Sequence, residues 1–446
     1  MTTKKSVLVL GAGRSSASLI GYLLRHAEKN NGHITVGDYH PQAARDSVGG
    51  SKYGTAISFS IEDTEKSLQA IQQADVVISL LPAHFHPQVA RLCLSEKKHL
   101  ITASYVSDEM QSLHAQAKAS GLLFMNECGL DPGIDHMTAK KVIDKIRNEG
   151  GKLLSFESFT GGLIAPQTDP SNPWRYKFTW NPRNVVMAGQ GTARFVQQSQ
   201  YKFIPYQQLF KRTTPVHIPG YGHFEGYANR DSLKYIDAYA LNGIQTMIRG
   251  TLRNDGFCSA WNVFVQLGCT DDTYEMEHVA EMTHRDFINA FLPYDKTMTV
   301  EEKLASLLGV GLQSPEMQKL KWLDLFEREN IGLKHGTPAQ LLEHILNKKW
   351  KLTTEDKDMV VMWHRFIFTQ HGVQKEIQSS LVMLGDNALH TAMAKGVGLP
   401  MGIVAKQLMA GAIAQRGVCI PLDQTIYDPV LKELELLGIR MNEEAI

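Results

Sequence analysis

The chain has 446 residues. A single hydrophobic core rarely supports a chain of this length, so two or three domains are expected. Lysine plus arginine equals aspartate plus glutamate at 46 each, which argues against a large basic nucleic-acid surface or a polybasic membrane surface. With 43% hydrophobic and 21% charged residues, the composition is typical of a soluble globular protein.

The five cysteines are scattered and form no CxxC pair, which favours reduced thiols over a disulfide framework or a zinc site. The first predicted strand lies close to the N-terminus and leaves no room for a targeting peptide. No apolar run reaches the ~20 residues that span a bilayer, and residues 397–414 predict a largely buried helix. We expect a cytoplasmic protein with neither membrane nor nucleic-acid partners.

The first 125 residues alternate strand-like and helix-like patterns. Strands that are apolar throughout are typical of a parallel sheet covered on both faces. Six such strands, interleaved with helices, predict a doubly wound Rossmann-type α/β domain over residues 1–130. The predicted strands are 7–10, 33–36, 56–59, 75–81, 99–102 and 122–125.

Beyond residue 130 the pattern changes to short β-like runs mixed with glycine, proline and aromatic residues. Residues 131–270 and 350–384 predict an inserted mixed α/β substrate domain, and residues 271–349 a helical subdomain. Within this region, residues 358–363 and 364–369 predict a strand pair. Residues from 379 to the end predict helix, and the segment 385–446 is expected to pack back on the first domain.

The first strand runs directly into a glycine-rich turn, Gly11-Ala12-Gly13-Arg14-Ser15-Ser16. Such a turn places a dinucleotide pyrophosphate on a helix N-terminus. Gly11 permits the tight turn, and Gly13 lets main-chain N–H groups approach the phosphates without a Cβ in the way. Ser16 stands where the third glycine or alanine of the pattern is expected, so the match is incomplete.

Asp38 ends the second predicted strand, 25 residues after Gly13. A carboxylate at this position accepts hydrogen bonds from the adenosine ribose 2′-OH and repels a 2′-phosphate, so it favours NAD over NADP. Arg14 could counterbalance that charge and admit NADP. The alternative interpretation of Asp38 is a turn residue ahead of Pro41.

Polar residues follow the fifth and sixth predicted strands, where open α/β sheets bind their ligands. Ser104 and Tyr105 follow the fifth strand, and Asp131 follows the sixth between two glycines and a proline. They are candidates for substrate contact. The alternative interpretations are loop capping for Ser104 and Tyr105 and an ordinary turn residue for Asp131. Arg230 and Arg253 lie outside the first domain, and their guanidinium groups would suit a substrate with several carboxylates. The alternative interpretation is that both are ordinary surface arginines.

The seventeen histidines show no HExxH motif and no other ligand spacing, so no metal site is expected.

Together these motifs resemble the saccharopine dehydrogenases of the L-glutamate-forming type, also called saccharopine reductases in fungi. The resemblance runs from the first strand to the C-terminus and rests on specific segments. Those segments are residues 77–82, 98–99, 104–107, 125–127, 161–163, 176–178 and 229–232, together with Gly129-Leu130-Asp131-Pro132-Gly133-Ile134-Asp135-His136 and Arg249-Gly250-Thr251-Leu252-Arg253.

The resemblance implies a variant Rossmann domain, a mixed substrate domain and a homodimer. It implies reversible oxidation of the secondary amine of saccharopine to an imine, then hydrolysis to L-glutamate and 2-aminoadipate 6-semialdehyde. Asp131 and Tyr105 become the catalytic candidates. The implied substrate contacts are Ser104, Tyr105, Asp131, Arg230, Thr251, Leu252 and Arg253. The implied cofactor contacts are Gly11, Gly13, Arg14, Ser15, Asp38, Leu80, Thr102, Ala103, Gly129, Leu130 and Thr179.

Two departures from the fungal pattern bear on the chemistry. Fungal members of the family have a sequence like Gly-Ser-Gly-Phe at the glycine-rich turn. After the second strand they have a Cys-Arg-Thr segment that suits NADP. This chain has Gly37-Asp38-Tyr39 there, so NAD is expected, with NADP as the alternative. Thr160 replaces a fungal cysteine, so a thiol at that position is not essential here.

Two other functions fit the same motifs. One is a carboxynorspermidine synthase-like enzyme that reductively joins an amine and an aldehyde, and the other is a catalytically silent NAD-binding regulatory protein. An intact set of Asp131, Arg230 and Arg253 argues against the silent protein, which has no need of an anion-binding site.

Overall fold

The computed structural model describes residues 5–446, which divide into two compact units. The first unit comprises residues up to 152 together with 389–442, and the second comprises 153–388 together with 443–446. The first unit extends past residue 130 because the helix of residues 134–148 packs against a C-terminal helix, where the Tyr427 hydroxyl donates to Asp144 at 2.8 Å.

The chain up to residue 148 alternates strands and helices. In chain order these are β1 (Ser6–Leu10), α1 (Ala17–Asn30), β2 (His33–Asp38), α2 (Pro41–Val48), β3 (Gly54–Ser58), α3 (Thr64–Gln72), β4 (Val76–Ser79), α4 (His86–Ser95), β5 (His99–Thr102), α5 (Asp108–Ser112), α6 (His114–Ala119), β6 (Leu123–Met125) and α7 (Ile134–Asn148).

The middle of the chain holds a second set of strands and several short helices. These are β7 (Lys152–Ile164), α8 (Pro182–Val186), β8 (Ala193–Gln197), β9 (Gln200–Ile204), α9 (Tyr206–Leu209), β10 (Thr213–Ile218), β11 (Gly222–Ala228), α10 (Tyr235–Ala238), β12 (Thr246–Asn254), α11 (Phe257–Leu267), α12 (His284–Asn289), α13 (Val300–Leu308), α14 (Pro315–Trp322), α15 (Pro338–Trp350), β13 (Asp358–Gln370) and β14 (Val373–Leu384). The chain ends with α16 (Ala392–Met409), β15 (Gly417–Cys419), α17 (Gln424–Leu436) and β16 (Asn442–Ala445).

The first sheet has the strand order β15-β6-β5-β4-β1-β2-β3, and all its pairs are parallel. The order reverses direction between β1 and β4, which is the switch point where doubly wound sheets bind ligands. All six predicted strands are confirmed. A seventh, β15, was not predicted, because three residues are too short to show a periodic pattern.

Helix α16 packs on α1 within this unit through glycines. A Cβ on Gly398 would lie 2.9 Å from the Cβ of Leu19, and one on Gly402 would lie 2.7 Å from Tyr22 Cδ1. The two helices therefore approach more closely than side chains would allow. Within residues 5–446, no helix has the combined length and apolar character needed to cross a membrane.

The second unit is built on a sheet of order β10-β11-β12-β7-β13-β14-β16, with β8 joined to β12 and β9 to β8. Strand β12 is parallel to β7 and antiparallel to β11. A large hydrophobic cluster includes the buried Trp174, Trp261 and Trp350, and α11 and α15 contribute to it. The segment 271–349, predicted as a helical subdomain, contributes buried side chains to this same cluster.

One strand prediction and one helix prediction in this unit were wrong. Residues 358–369 form one strand, β13, because no turn residue interrupts them; the chain reverses at His371 and Gly372, whose φ angles are 52° and 78°. Two consecutive positive φ angles match the twist of a tight hairpin. The partner β14 extends to Leu384, so helix does not begin at residue 379.

Candidate active site

The glycine-rich turn closes tightly against neighbouring strands of the first sheet. Gly11 has a φ of 101°, and its N–H donates to the Gly37 carbonyl at 2.8 Å. A Cβ at Gly11 would lie 3.3 Å from the main chain of Leu80, at the end of β4. The fold itself therefore requires glycine at this position.

Gly13 differs, because a Cβ there would meet no protein atom within 4 Å. Ser16 folds back on it: the Ser16 hydroxyl donates to the Gly13 carbonyl at 2.7 Å and is buried just ahead of α1. Ser16 thus braces the turn from inside, which accounts for its place in the incomplete fingerprint. Arg14 is exposed and Ser15 half-buried. The turn, the open side of Gly13 and the start of α1 fit a dinucleotide phosphate.

Asp38 is fixed by two main-chain donors. Its Oδ2 accepts from Ala12 N at 2.7 Å, and its Oδ1 accepts from His40 N at 2.7 Å. A carboxylate has about four acceptor sites, so each oxygen retains capacity for a ligand hydroxyl. The second-strand acid is therefore held directly beside the glycine-rich turn.

A buried histidine lies behind the end of β5. His86 Nε2 is 2.9 Å from Ser104 Oγ and 3.0 Å from Thr102 Oγ1, and Nδ1 is 3.1 Å from Ser79 Oγ. Burial lowers the pKa of His86 to about 4. The neutral ring therefore bonds three hydroxyls and orients Ser104.

The structure brings the two catalytic candidates together. The Tyr105 hydroxyl donates to Asp131 Oδ1 at 3.2 Å. The Asp131 turn is closed by Gly129 N, which donates to the Pro132 carbonyl at 2.9 Å. A Cβ on Gly129 would lie 2.8 Å from the Ala103 Cβ, so this turn packs directly on the end of β5. Leu130, the remaining predicted cofactor contact here, is buried, and its carbonyl accepts from Asp135 N at 3.1 Å.

In the second unit, Arg253 on β12 is 4% exposed and lies among aromatic rings. Its guanidinium carbon is 5.1 Å from the ring centre of Tyr176, 5.3 Å from Phe257 and 5.9 Å from Tyr227. Burial raises the pKa of Tyr176 to about 12 and also raises that of Tyr227, so both side chains stay neutral beside the cation.

Arg253 has little compensation for its buried charge. Nη1 donates to the Leu252 carbonyl at 2.9 Å, and within residues 5–446 Nε has no hydrogen-bond partner and no carboxylate pairs with the guanidinium. Glu225 stands opposite in strand register, but its Oε2 accepts from Cys258 N at 2.9 Å. A buried cation without an acid partner is costly, so this arrangement suits an anion from a ligand.

The other predicted residues of this unit lie in different surroundings. Thr251 is half-buried and accepts from Asn229 Nδ2 at 3.3 Å, whereas Leu252 is fully buried in the hydrophobic cluster, which leaves only its main chain for a ligand. Arg230 is exposed, with a φ of 48°. The hydroxyl of Thr179 is buried with no hydrogen-bond partner in the described part of the chain.

Several groups at these sites were not predicted. His86 and Glu127 hold the strand-end loops, and Tyr176 and Tyr227 enclose Arg253. Alternation on paired strands could have placed Tyr227 beside Thr251, but no sequence pattern marks the other contacts. Within residues 5–446 no cluster of three metal-ligating side chains occurs, and all five cysteines are free thiols.

Two family models match nearly the whole chain. The saccharopine dehydrogenase NADP binding domain matches residues 7–125, and the saccharopine dehydrogenase C-terminal domain matches residues 129–439. The chain is 32% identical to the saccharopine dehydrogenase [NADP(+), L-glutamate-forming] of Schizosaccharomyces pombe over 451 residues, which cover 99% of each chain.

The mitochondrial alpha-aminoadipic semialdehyde synthase of Rattus norvegicus is 34% identical over the full length of this chain. The chain spans 48% of that relative's length. Among solved structures, the apo saccharopine dehydrogenase (L-Glu forming) of Saccharomyces cerevisiae superposes with a TM-score of 0.88 at 30% identity, over 99% of this chain and 100% of the other. The chain belongs to the saccharopine dehydrogenase family.

Proposed function

We propose that the protein is an L-glutamate-forming saccharopine dehydrogenase. It would oxidise the secondary amine of saccharopine to an imine and hydrolyse that imine to L-glutamate and 2-aminoadipate 6-semialdehyde. Support comes from full-length similarity to fungal enzymes named for this reaction. The structural observation that carries the proposal is the buried guanidinium of Arg253, which no carboxylate of residues 5–446 pairs with, since saccharopine brings three carboxylates.

A bound nicotinamide dinucleotide would supply the hydride acceptor. The chain would orient the substrate and handle protons. Asp131 accepts the hydrogen bond of Tyr105, so its carboxylate is placed to pair with a substrate ammonium or take the proton of the amine. Ser104, oriented by neutral His86, would contact the same end of the substrate, and Arg230 and Arg253 would bind carboxylates.

The dinucleotide would lie on the turn from Gly11 to Ser15, with Asp38 at the ribose. We propose NAD as the preferred form, although the fungal relatives are named for NADP(+). The Asp38 carboxylate is fixed 2.7 Å from Ala12 N and would repel a 2′-phosphate. Exposed Arg14 is the group that could admit NADP as the alternative.

A cytoplasmic homodimer completes the proposal. Sedimentation analysis of the purified protein would test the dimer, and fractionation of cells would test the location.

The decisive experiment follows absorbance of the reduced cofactor when pure protein is mixed with saccharopine and either NAD or NADP. Glutamate and the semialdehyde should appear as products. An absence of signal with both dinucleotides would exclude this activity. Turnover of an amine and an aldehyde lacking the glutamate carboxylates would instead favour the carboxynorspermidine synthase-like alternative.

A further inference from the structure

The loop after β6 contains a buried carboxylate for which the proposed chemistry has no use. Glu127 is 2% exposed. Its Oε1 accepts from Val106 N at 3.0 Å, and its Oε2 lies 2.7 Å from His136 Nε2. Burying a carboxylate costs several kcal/mol unless hydrogen bonds offset it, and here both oxygens are engaged.

The two partners of Glu127 belong to the two segments that carry the catalytic candidates. Val106 directly follows Tyr105, and His136 lies in the first turn of α7, five residues after Asp131. Glu127 therefore bridges these two segments with one side chain.

Main-chain bonds reinforce the same bridge. Glu127 N donates to the Ser104 carbonyl at 3.1 Å, and Cys128 N donates to the Thr102 carbonyl at 3.1 Å. Glu127 itself has a φ of 52°, a left-handed conformation that costs a non-glycine residue of order 1 kcal/mol. The hydrogen bonds of its side chain and main chain hold it there.

The contact between Tyr105 and Asp131 needs such support. At 3.2 Å it is longer than the 2.5–3.0 Å typical of O–H···O bonds, so by itself it is a weak constraint. The Asp131 turn is also fixed from its far side, where Asp135 Oδ1 accepts from Gly133 N at 2.6 Å.

We propose that Glu127 is a positioning residue that sets the separation of Tyr105 and Asp131. Its side chain acts through Val106 and His136, which lie beside the two candidates in the chain. This inference rests on the proposed function, because it assigns the proton chemistry to Tyr105 and Asp131. A displacement of about 1 Å at such groups lowers turnover about 100-fold.

The test compares Glu127→Ala and Glu127→Gln with the wild-type enzyme. Glu127→Ala should lower kcat about 100-fold and leave the Kd for the dinucleotide within about twofold. Glu127→Gln retains an acceptor for Val106 N and should recover most of kcat. Glu433→Ala is the matched control, since Glu433 also bridges two segments of this unit, through Tyr22 and Lys406, and should leave kcat unchanged.

A double-mutant cycle separates positioning from general stability. In a Tyr105→Phe background the Glu127→Ala loss in kcat should shrink to below tenfold, because the contact that Glu127 positions has already been removed. Full additivity of the two losses would overturn the proposal. So would a Glu433→Ala enzyme that loses kcat to the same extent at a similar loss of thermal stability.

Amide hydrogen exchange tests the bridge independently of turnover. Glu127→Ala should increase exchange in residues 104–107 and 129–134 together and leave β1 and α1 protected. Unchanged exchange in both segments would overturn the positioning role even in an enzyme that acts on saccharopine. The wild-type protein could fail to turn over saccharopine while Glu127→Ala still shows increased exchange in both segments. That result would overturn only the proposed function and the effect on kcat, and the bridging role of Glu127 would stand.

Discussion

The two units differ in whether their own groups form hydrogen bonds or ion pairs with the candidate site residues. In the first unit Asp38 accepts two main-chain N–H groups, and Asp131 accepts the hydroxyl of Tyr105. In the second unit Arg253 is buried, and in the described part of the chain no carboxylate pairs with it. The first unit orients its polar groups with its own hydrogen bonds, whereas the buried guanidinium of Arg253 has no carboxylate among the described residues to neutralise it.

This difference assigns different contributions to the two units. Groups oriented by the fold before ligand arrives act mainly on the rate of the chemical step. A buried charge without a partner lowers stability in the free protein and contributes strongly to affinity once an anion binds. Substitutions in each unit test that division.

Replacing Arg253 by methionine should give the largest effect. We expect kcat/KM for saccharopine to fall about 1,000-fold, because the carboxylate loses a desolvated partner. The midpoint of thermal unfolding should stay equal or rise, since an uncompensated buried charge is removed. Arg365→Met is the control: Arg365 is bound to Glu376 at 2.9 Å and Glu157 at 3.4 Å, so its loss should reduce stability and leave KM unchanged. The opposite pattern in the two variants would refute the comparison.

Asp131→Asn should lower kcat about 100-fold, since the amide cannot take a proton, while the Kd for the dinucleotide changes little. Asp144 offers a matched control, because it accepts the Tyr427 hydroxyl at 2.8 Å in the same unit. Asp144→Asn should leave kcat unchanged. Steady-state kinetics and a fluorescence titration with cofactor measure both variants. If KM rises and kcat stays constant in Asp131→Asn, the rate-setting role of the first unit is wrong.

Asp38→Ser should shift the ratio of kcat/KM for NAD over NADP at least tenfold toward NADP, because like-charge repulsion of the 2′-phosphate is removed. The KM for saccharopine should not change. Initial rates with both dinucleotides give the ratio. A wild-type enzyme that already prefers NADP strongly would contradict the role given to Asp38.

Acid should weaken the first unit through His86, with a smaller effect. Its folded pKa of about 4 lies below the ordinary 6.5, so the unfolded chain binds the proton first as pH falls. This contribution is therefore complete above pH 6.5 and lost between pH 6.5 and about 4, amounting to at most about 3 kcal/mol. Urea unfolding at pH 7 and 4.5 should show a smaller loss in His86→Gln. The exposed His223→Gln should behave as wild type, and equal losses in all three proteins would exclude this role.

The sequence predicted the first unit better than the second for physical reasons. The six all-apolar strands and the turn at Gly11 carry local patterns, and Tyr105 and Asp131 follow strand ends that a parallel sheet brings to one edge. The long hairpin of β13 and β14 was misjudged because its reversal depends on His371 and Gly372, with no proline or Asn-Gly pair as a signal.

The contacts of His86 and Glu127 could not be predicted, because they join residues of separate segments through side-chain geometry. The aromatic surroundings of Arg253 have the same origin, since Tyr176 and Phe257 come from segments far apart in the sequence. Local patterns locate strand ends; they do not specify which side chains meet there.

The seventh strand and the close packing of α16 on α1 have a consequence for protein synthesis. Residues near the N-terminus emerge first, yet β6 lacks its neighbour β15 until about 290 further residues have been made, and α1 lacks α16 until about 360 have been made. At roughly 5–20 residues per second this delay is tens of seconds. During that interval the apolar surface of α1 that α16 covers is exposed, and by the end of the interval all strands of the second unit except β16 have been made. We therefore expect the second unit to reach its folded state on the ribosome first, and the nascent first unit to be the part that chaperones protect.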